Sequence, residues 1–307
     1  MSDSQGELPA VSRRRVRLAL RAAREATGLS QGAVVKELGW SLSKLQRVEI
    51  GEVAISPTDL RALLDHYGVA DEGRIARLTD DARVARRERY WTEQDDRQSL
   101  PAGLRQLIQF EEAASIIRIY QIGVVPGLLQ TAEFAGAILG WWDQSLSEED
   151  RRIRYEHRLA RRERVIDRDG APRLQLVISE SVLQHEVGGF EVTARQFEEL
   201  VRVADRPGVQ VRVLPFNVGA YTSSYGSFTI AQLDDADAED AVLYREVYLQ
   251  DELIQDPDVV SDHQKAFERF WGKLAYDEEV SRAMIVARIY ELKAWEARAK
   301  AAGADSP

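Results

Sequence analysis

LSQGAVVKELGWSLSKLQRVEIG, running from Leu29 to Gly51, carries two short helical patterns separated by one tight corner. Ser30 stands where a hydroxyl caps the first pattern, and Val34 and Leu38 fall on its inner face. Gly39 closes it, because the chain there needs a backbone angle that a Cβ resists. Ser41 caps the second pattern, whose inward residues are Leu45 and Val48. The side chains around that buried pair are mostly small or polar: Ser41, Leu42, Ser43, Lys44, Gln46 and Arg47. Gln31, at the start of the first pattern, can offer its side chain and backbone N–H to an anion.

Working outward, Val16, Leu20, Ala23 and Thr27 repeat at helical period over 12–27, with Ser12 as the expected cap and Gly28 as the stop. After a loop at 50–55, Ser56-Pro57 opens a fourth helix with Leu60, Leu63, Leu64 and Tyr67 inward. A fifth, more polar helix is expected over 71–89, ending in Arg83, Arg86, Arg87 and Arg89. Five short helices predict a compact all-α domain over 12–90, after a disordered tail at 1–11.

With 307 residues, the chain has room for two domains. It has no cysteine, which excludes disulfides and thiolate chemistry and suits a reducing cytoplasm. No apolar run is long enough for a membrane span, and no secretory leader is read at the start. His66, His157, His185 and His263 lie far apart and form no metal-type spacing. The net charge of −10 is unevenly spread: residues 1–90 carry a balance of +3 and the remainder −13. Arg13, Arg14, Arg15, Arg17, Arg21 and Arg24 occupy 12–24 without an acid, a basic helix face that either meets nucleic acid or is simply solvated.

The Leu29–Gly51 stretch and its neighbours resemble the phage-repressor, Cro/cI-type (XRE-like) helix-turn-helix domain over about 12–70. The resemblance implies binding to double-stranded DNA, with Gln31 as a phosphate and positioning contact and Leu42, Ser43 and Arg47 facing bases. Ser41, Lys44 and Gln46 complete the expected DNA-binding set. Glu49 matches the acidic residue that ends the reading helix in that class and ties the structure together. Two departures are visible. Val35 stands where a small residue is usual, and Leu42 puts an apolar side chain at the first reading position, suited to a thymine methyl.

Beyond a linker at 91–101 the pattern changes. An apolar helix is expected over 102–121 and another after the turn Pro126-Gly127. An Arg-rich helix over 147–168 carries eight arginines between 151 and 168, for which internal salt bridging is favoured over DNA contact. RLQLVIS (173–179) and VQVRVLPF (209–216) look like strands flanking a helix at 192–204, a βαβ unit with parallel strands. SFTIAQL (227–233) and AVLYREVYL (241–249) read as a hairpin around the acidic turn DDADAED. Helices at 257–276 and 278–301 close the chain before a polar tail at 303–307. The expected fold is therefore multidomain: an all-α helix-turn-helix head and a mixed α/β domain, 102–302, with a small sheet and flanking helices.

VVPGLLQTAEFA (124–135), RRERV (161–165), RLQLVISESVLQHEVGG (173–189), ADRPGVQVRVLPFNVGAY (204–221), YGSFTIAQ (225–232) and VYLQDELI (247–254) add a second resemblance. Together they look like an actinobacterial regulator family joining a Cro/cI-type head to a C-terminal domain of unknown function. That resemblance implies an antitoxin-like transcriptional regulator, encoded beside a small partner protein. Glu180, His185, Glu186, Asp251, Glu252 and the loop YTSSYG (221–226) are the only candidates for acid–base work, and no nucleophile elbow, phosphate loop or dinucleotide fingerprint accompanies them. No enzyme activity, metal or cofactor is expected. The body is expected to form homodimers, to bind the small partner, or to sense a small molecule. Trp141-Trp142, Phe267, Phe270 and Trp271 are assigned to core or dimer contacts, and a pocket lining stays open beside that.

Overall fold

The computed structural model describes residues 8–86, 100–141, 147–247 and 250–304. The chain divides into two compact units, Met1–Gln94 and Asp95–Pro307, called head and body below.

The head contains α1 (Pro9–Thr27), α2 (Gln31–Leu38), α3 (Leu42–Glu49), α4 (Pro57–His66) and α5 (Glu72–Ala85). Ser30, Ser41, Ser56 and Asp71 each accept a hydrogen bond from the backbone N–H three residues on, satisfying one of the free donors of a helix start. Gly28 and Gly39 end α1 and α2 in the left-handed conformation, with φ of 72° and 66°. Leu20, Val34, Leu45, Val48, Leu60, Leu63 and Leu64 form one buried core. The first helix starts earlier than the sequence suggests. Pro9 is at its first turn, a position where a missing N–H costs nothing. Ser12 is therefore not a cap; it lies buried inside α1 and its hydroxyl donates to Asp81 at 2.7 Å. Residues 8–11 belong to the folded head, and the arginines expected at 87 and 89 lie outside the described residues.

The body is built on a six-stranded sheet in the order β3-β2-β1-β4-β5-β6. Its strands are β1 (Ile116–Gln121), β2 (Arg173–Ser179), β3 (Val209–Leu214), β4 (Phe228–Gln232), β5 (Ala241–Val247) and β6 (Gln250–Ile254). Strands β1, β2 and β3 run parallel, whereas β4, β5 and β6 add an antiparallel half. The described α-helices of five residues or more are α6 (Ala102–Ala113), α7 (Ala132–Trp141), α8 (Glu148–Val165), α9 (Glu180–Gln184), α10 (Phe190–Ala204), α11 (Pro257–Arg269) and α12 (Glu278–Ala304). The expected βαβ unit is present as β2–α10–β3, and the hairpin as β4–β5.

Two elements differ from expectation. The helix foreseen over 102–121 stops at Ala113, and IIRIYQ (116–121) becomes β1. A strand buried on both faces has no alternation to betray it, so its apolar run merges with the helix before it. The second difference is β6, which pairs with β5 from Leu243–Ile254 to Val247–Gln250 and has too little apolar character to announce itself. Phe267 and Phe270 are core residues as expected, packed with Tyr120 and Phe228, and Trp271 lies partly buried beside them. The Trp141-Trp142 contacts fall outside the described side chains.

Candidate nucleic-acid interface

The surface of α3 is set by what lies beneath it. Leu45 and Val48 are buried in the head core, which leaves Ser41, Leu42, Ser43, Gln46 and Arg47 exposed along one side. Leu42 is 44% exposed, an apolar side chain held in solvent at the first turn of the helix. Ser41 uses its Oγ to accept from the Lys44 N–H at 3.2 Å, so the cap and the candidate contact are the same atom.

The orientation of α3 depends on a buried carboxylate at its last turn. Glu49 accepts from Arg24 Nε at 2.7 Å and Nη2 at 3.0 Å, and from Gln31 Nε2 at 2.7 Å. One carboxylate thereby joins α1, α2 and α3. The fork-shaped guanidinium suits this bidentate contact, and a third donor, from Gln31, occupies a further lone pair. Hydrogen bonding to Glu49 raises the Arg24 pKa above its ordinary value. Burial, with the Glu49 charge adding to it, pushes the nearby Tyr67 hydroxyl up to about 12. The role expected of Glu49 is thus visible in its bonds, and the Gln31 side-chain amide is committed to it. What α2 retains for an anion is its first-turn backbone: Ser30 Oγ holds the Ala33 N–H at 3.2 Å, and the Gln31 and Gly32 N–H groups precede it.

The two cations of α3 are held by acids of the head itself. Arg47 Nε donates to Glu52 at 3.0 Å. Lys44 Nζ lies 3.0 Å from Asp59 on α4 and 3.7 Å from the centre of the Trp40 ring. Trp40 and the two acids were not singled out from sequence; Trp40 precedes Lys44 by one helical turn, a spacing that could have revealed it.

The arginines of α1 do not form an open basic face. Arg14 and Arg17 are buried, and Arg17 Nη1 donates to the Ile50 carbonyl at 3.5 Å. Burial, with Arg14 and Arg21 nearby, lowers the Arg17 pKa to about 10. Arg24 is spent on Glu49, and Arg21 pairs with Glu25 at 2.8 Å. Charge density in the sequence therefore overstates the positive surface of the head.

In the body, the candidate acid–base groups serve separate contacts. Glu180 accepts from the Phe216 N–H at 3.0 Å, and His185 Nδ1 lies 2.6 Å from the Gly123 carbonyl. Glu252 accepts from Arg245 at 2.6 Å, and Glu186 is exposed. Asp251 belongs to a charged group on the β5–β6 hairpin, directly across from Glu246. Burial raises the pKa of both carboxylates, and Arg158 and Arg161 of α8 only partly offset it for Glu246. The arginines of α8 are mostly paired internally: Arg161 with the buried Glu111 at 2.6 Å, Arg162 with Glu199 and Asp167, and Arg152 with Glu149 and Glu156. Among the described residues no group of His, Asp and Glu is arranged to hold a metal ion. No helix among them is long and apolar enough to cross a membrane.

An exposed polar helix, packed through a glycine corner on a second helix, defines a helix-turn-helix domain, and the helix-turn-helix domain family matches residues 15–78. Such a domain marks a DNA-binding regulator. The larger match is to the domain of unknown function DUF5753, over residues 104–287, and the chain belongs to that family. Comparison with curated proteins and with solved structures gives no match.

Proposed function

We propose that this protein is a sequence-specific regulator of transcription that reads double-stranded DNA with the N-terminal face of α3, while its body forms homodimers. Leu42, Ser43, Gln46 and Arg47 meet base edges, and Ser41, Lys44 and the first turn of α2 beginning at Gln31 meet the backbone. The observation carrying this reading is the Glu49 clamp. It fixes α3 against α1 and α2 while Leu42, Ser43, Gln46 and Arg47 stay exposed. Pre-organised contacts of this kind lose little entropy on binding.

Selection of bound duplexes from a random pool by the full chain tests the reading. An enriched motif is expected, and Arg47→Ala should flatten preference at one base pair at a cost of about 1–3 kcal/mol. Recovery of no motif, or of the same profile from Arg47→Ala, would remove the role assigned to α3.

A further inference from the structure

The long helix α12 has two apolar faces. One carries Ser281, Ile285, Arg288, Ile289 and Leu292, all buried, and packs on α10. The opposite face would ordinarily be charged. It instead presents Val280, Ala283, Ala287, Tyr290, Ala294 and Ala297, all exposed, and Ala301 continues the line. Tyr290, at 70%, has the greatest exposure of any large apolar side chain among the described residues, and Val280 is 42% exposed. These residues recur in alternating steps of three and four, the average period of 3.5 that keeps a seam facing a partner helix.

We propose that this face pairs, antiparallel, with the same face of a second copy of the chain. The flanking charges select both the occupant and its direction. Glu278 and Glu279 open α12, and Arg298 and Lys300 lie near its end. Setting Ala287 against Tyr290 of the second copy also sets Ala283 against Ala294 and Val280 against Ala297. The acidic first turn of each helix then faces the basic last turns of the other, twice over, and the helix dipoles oppose. A parallel pair would bring Lys293 beside Arg298 of the second copy. Glu278 is already held by Gln210 and Arg212, and Lys300 by Glu191 and Glu296, whereas Glu279 and Arg298 make no hydrogen bond or ion pair among the described residues, so these two are the charges the fold leaves available. The alanines let the backbones approach closely, and Tyr290 supplies the knob that fills the space over Ala287. A seam from Val280 to Ala301 is about 30 Å long at 1.5 Å per residue.

The proposal rests on the body being the oligomer-forming part and not on the DNA reading, so its failure leaves the role of α3 untouched. Sedimentation of the full chain should show a dimer. Ala287→Glu, a change at an exposed position to a good helix former, should weaken it by more than about tenfold with helix content unchanged. Because the chain has no cysteine, single variants Ala283→Cys and Ala294→Cys report direction cleanly. Mixed together and oxidised, they should cross-link to each other and not each to itself. A monomeric protein, a dimer indifferent to Ala287→Glu, or self-cross-linking of Ala283→Cys would overturn the proposal.

Discussion

Arg24 and Glu49 are joined by two hydrogen bonds, of 2.7 and 3.0 Å, that tie the first helix of the head to the last turn of α3. Both side chains are largely out of solvent, at 13% and 4% exposure, so the pair is not a surface ornament. Removing one partner strands the other charge. Glu49→Ala is expected to cost about 1.5–3 kcal/mol of head stability, because a largely covered guanidinium keeps only the Leu29 carbonyl and Glu25, and Gln31 loses its acceptor. Urea denaturation should then show an early transition for the head, and an unchanged midpoint would mean that α3 is held by packing alone.

Glu52 and Asp59 hold the cations of α3, and on the proposed reading they compete with DNA for them. Releasing Arg47 by Glu52→Gln removes an exposed ion pair worth up to about 1 kcal/mol, so binding should tighten by roughly two- to fivefold. Lys44→Ala should weaken all duplexes alike and reduce the slope of log affinity against log salt by about one unit. Titrations at several salt concentrations measure both. Weaker binding by Glu52→Gln would show that this acid contacts DNA instead of restraining Arg47.

On the β5–β6 hairpin, Glu246 and Asp251 face each other directly, an arrangement that disfavours charge on both. Burial lifts the pKa of each in the folded body. A carboxyl group raised on folding opposes the fold when ionised: the penalty is full above its folded pKa and is relieved as pH falls towards the ordinary carboxylate range. Glu246→Gln should therefore stabilise the body near neutral pH, by no more than about 0.5 kcal/mol because the Glu246 residue is itself exposed to screening solvent. The gain should shrink on acidification. Thermal unfolding across pH checks this, and a gain that grew towards acid would reverse the assigned sign.

Gly39 and Gly188 share nearly the same backbone angle, φ of 66° and 68°, but not the same surroundings. A Cβ on Gly39 meets nothing within 4 Å, whereas on Gly188 it would lie 2.9 Å from the Ala137 Cβ. Gly39→Ala should cost only the left-handed strain, about 1–2 kcal/mol. Gly188→Ala adds overpacking of about 1–3 kcal/mol between α7 and the turn before α10. Equal losses from the two substitutions would contradict this distinction.

The head was legible because its signals are local. Ser30, Gly39 and Ser41 each act within a helical turn, and Val34, Leu45 and Val48 keep helical period. The antiparallel hairpin and the βαβ unit were legible for the same reason. β1 was not, since its strand character comes from neighbours far along the chain: Ile116 pairs with Arg173 on one side and Gln232 on the other. The partners of the site were equally hidden. Nothing in a run of arginines tells which are buried, as Arg14 and Arg17 are, or that Arg47 rests on Glu52. The link from Glu49 back to Gln31 spans eighteen residues and becomes visible only once α2 and α3 are packed.

The central position of β1 also governs the order in which the protein can be made. The five described helices of the head precede residue 86, so their short-range contacts can form while the ribosome is still translating the body. IIRIYQ (116–121) must by contrast wait for β2, and then for β4 at Phe228–Gln232, before its second edge is covered. Throughout that interval an apolar strand with an unpaired edge is exposed on the nascent chain, beside a finished head. Slow or interrupted elongation between residues 121 and 232 thus has an asymmetric effect: it leaves a folded helix-turn-helix head attached to an aggregation-prone fragment.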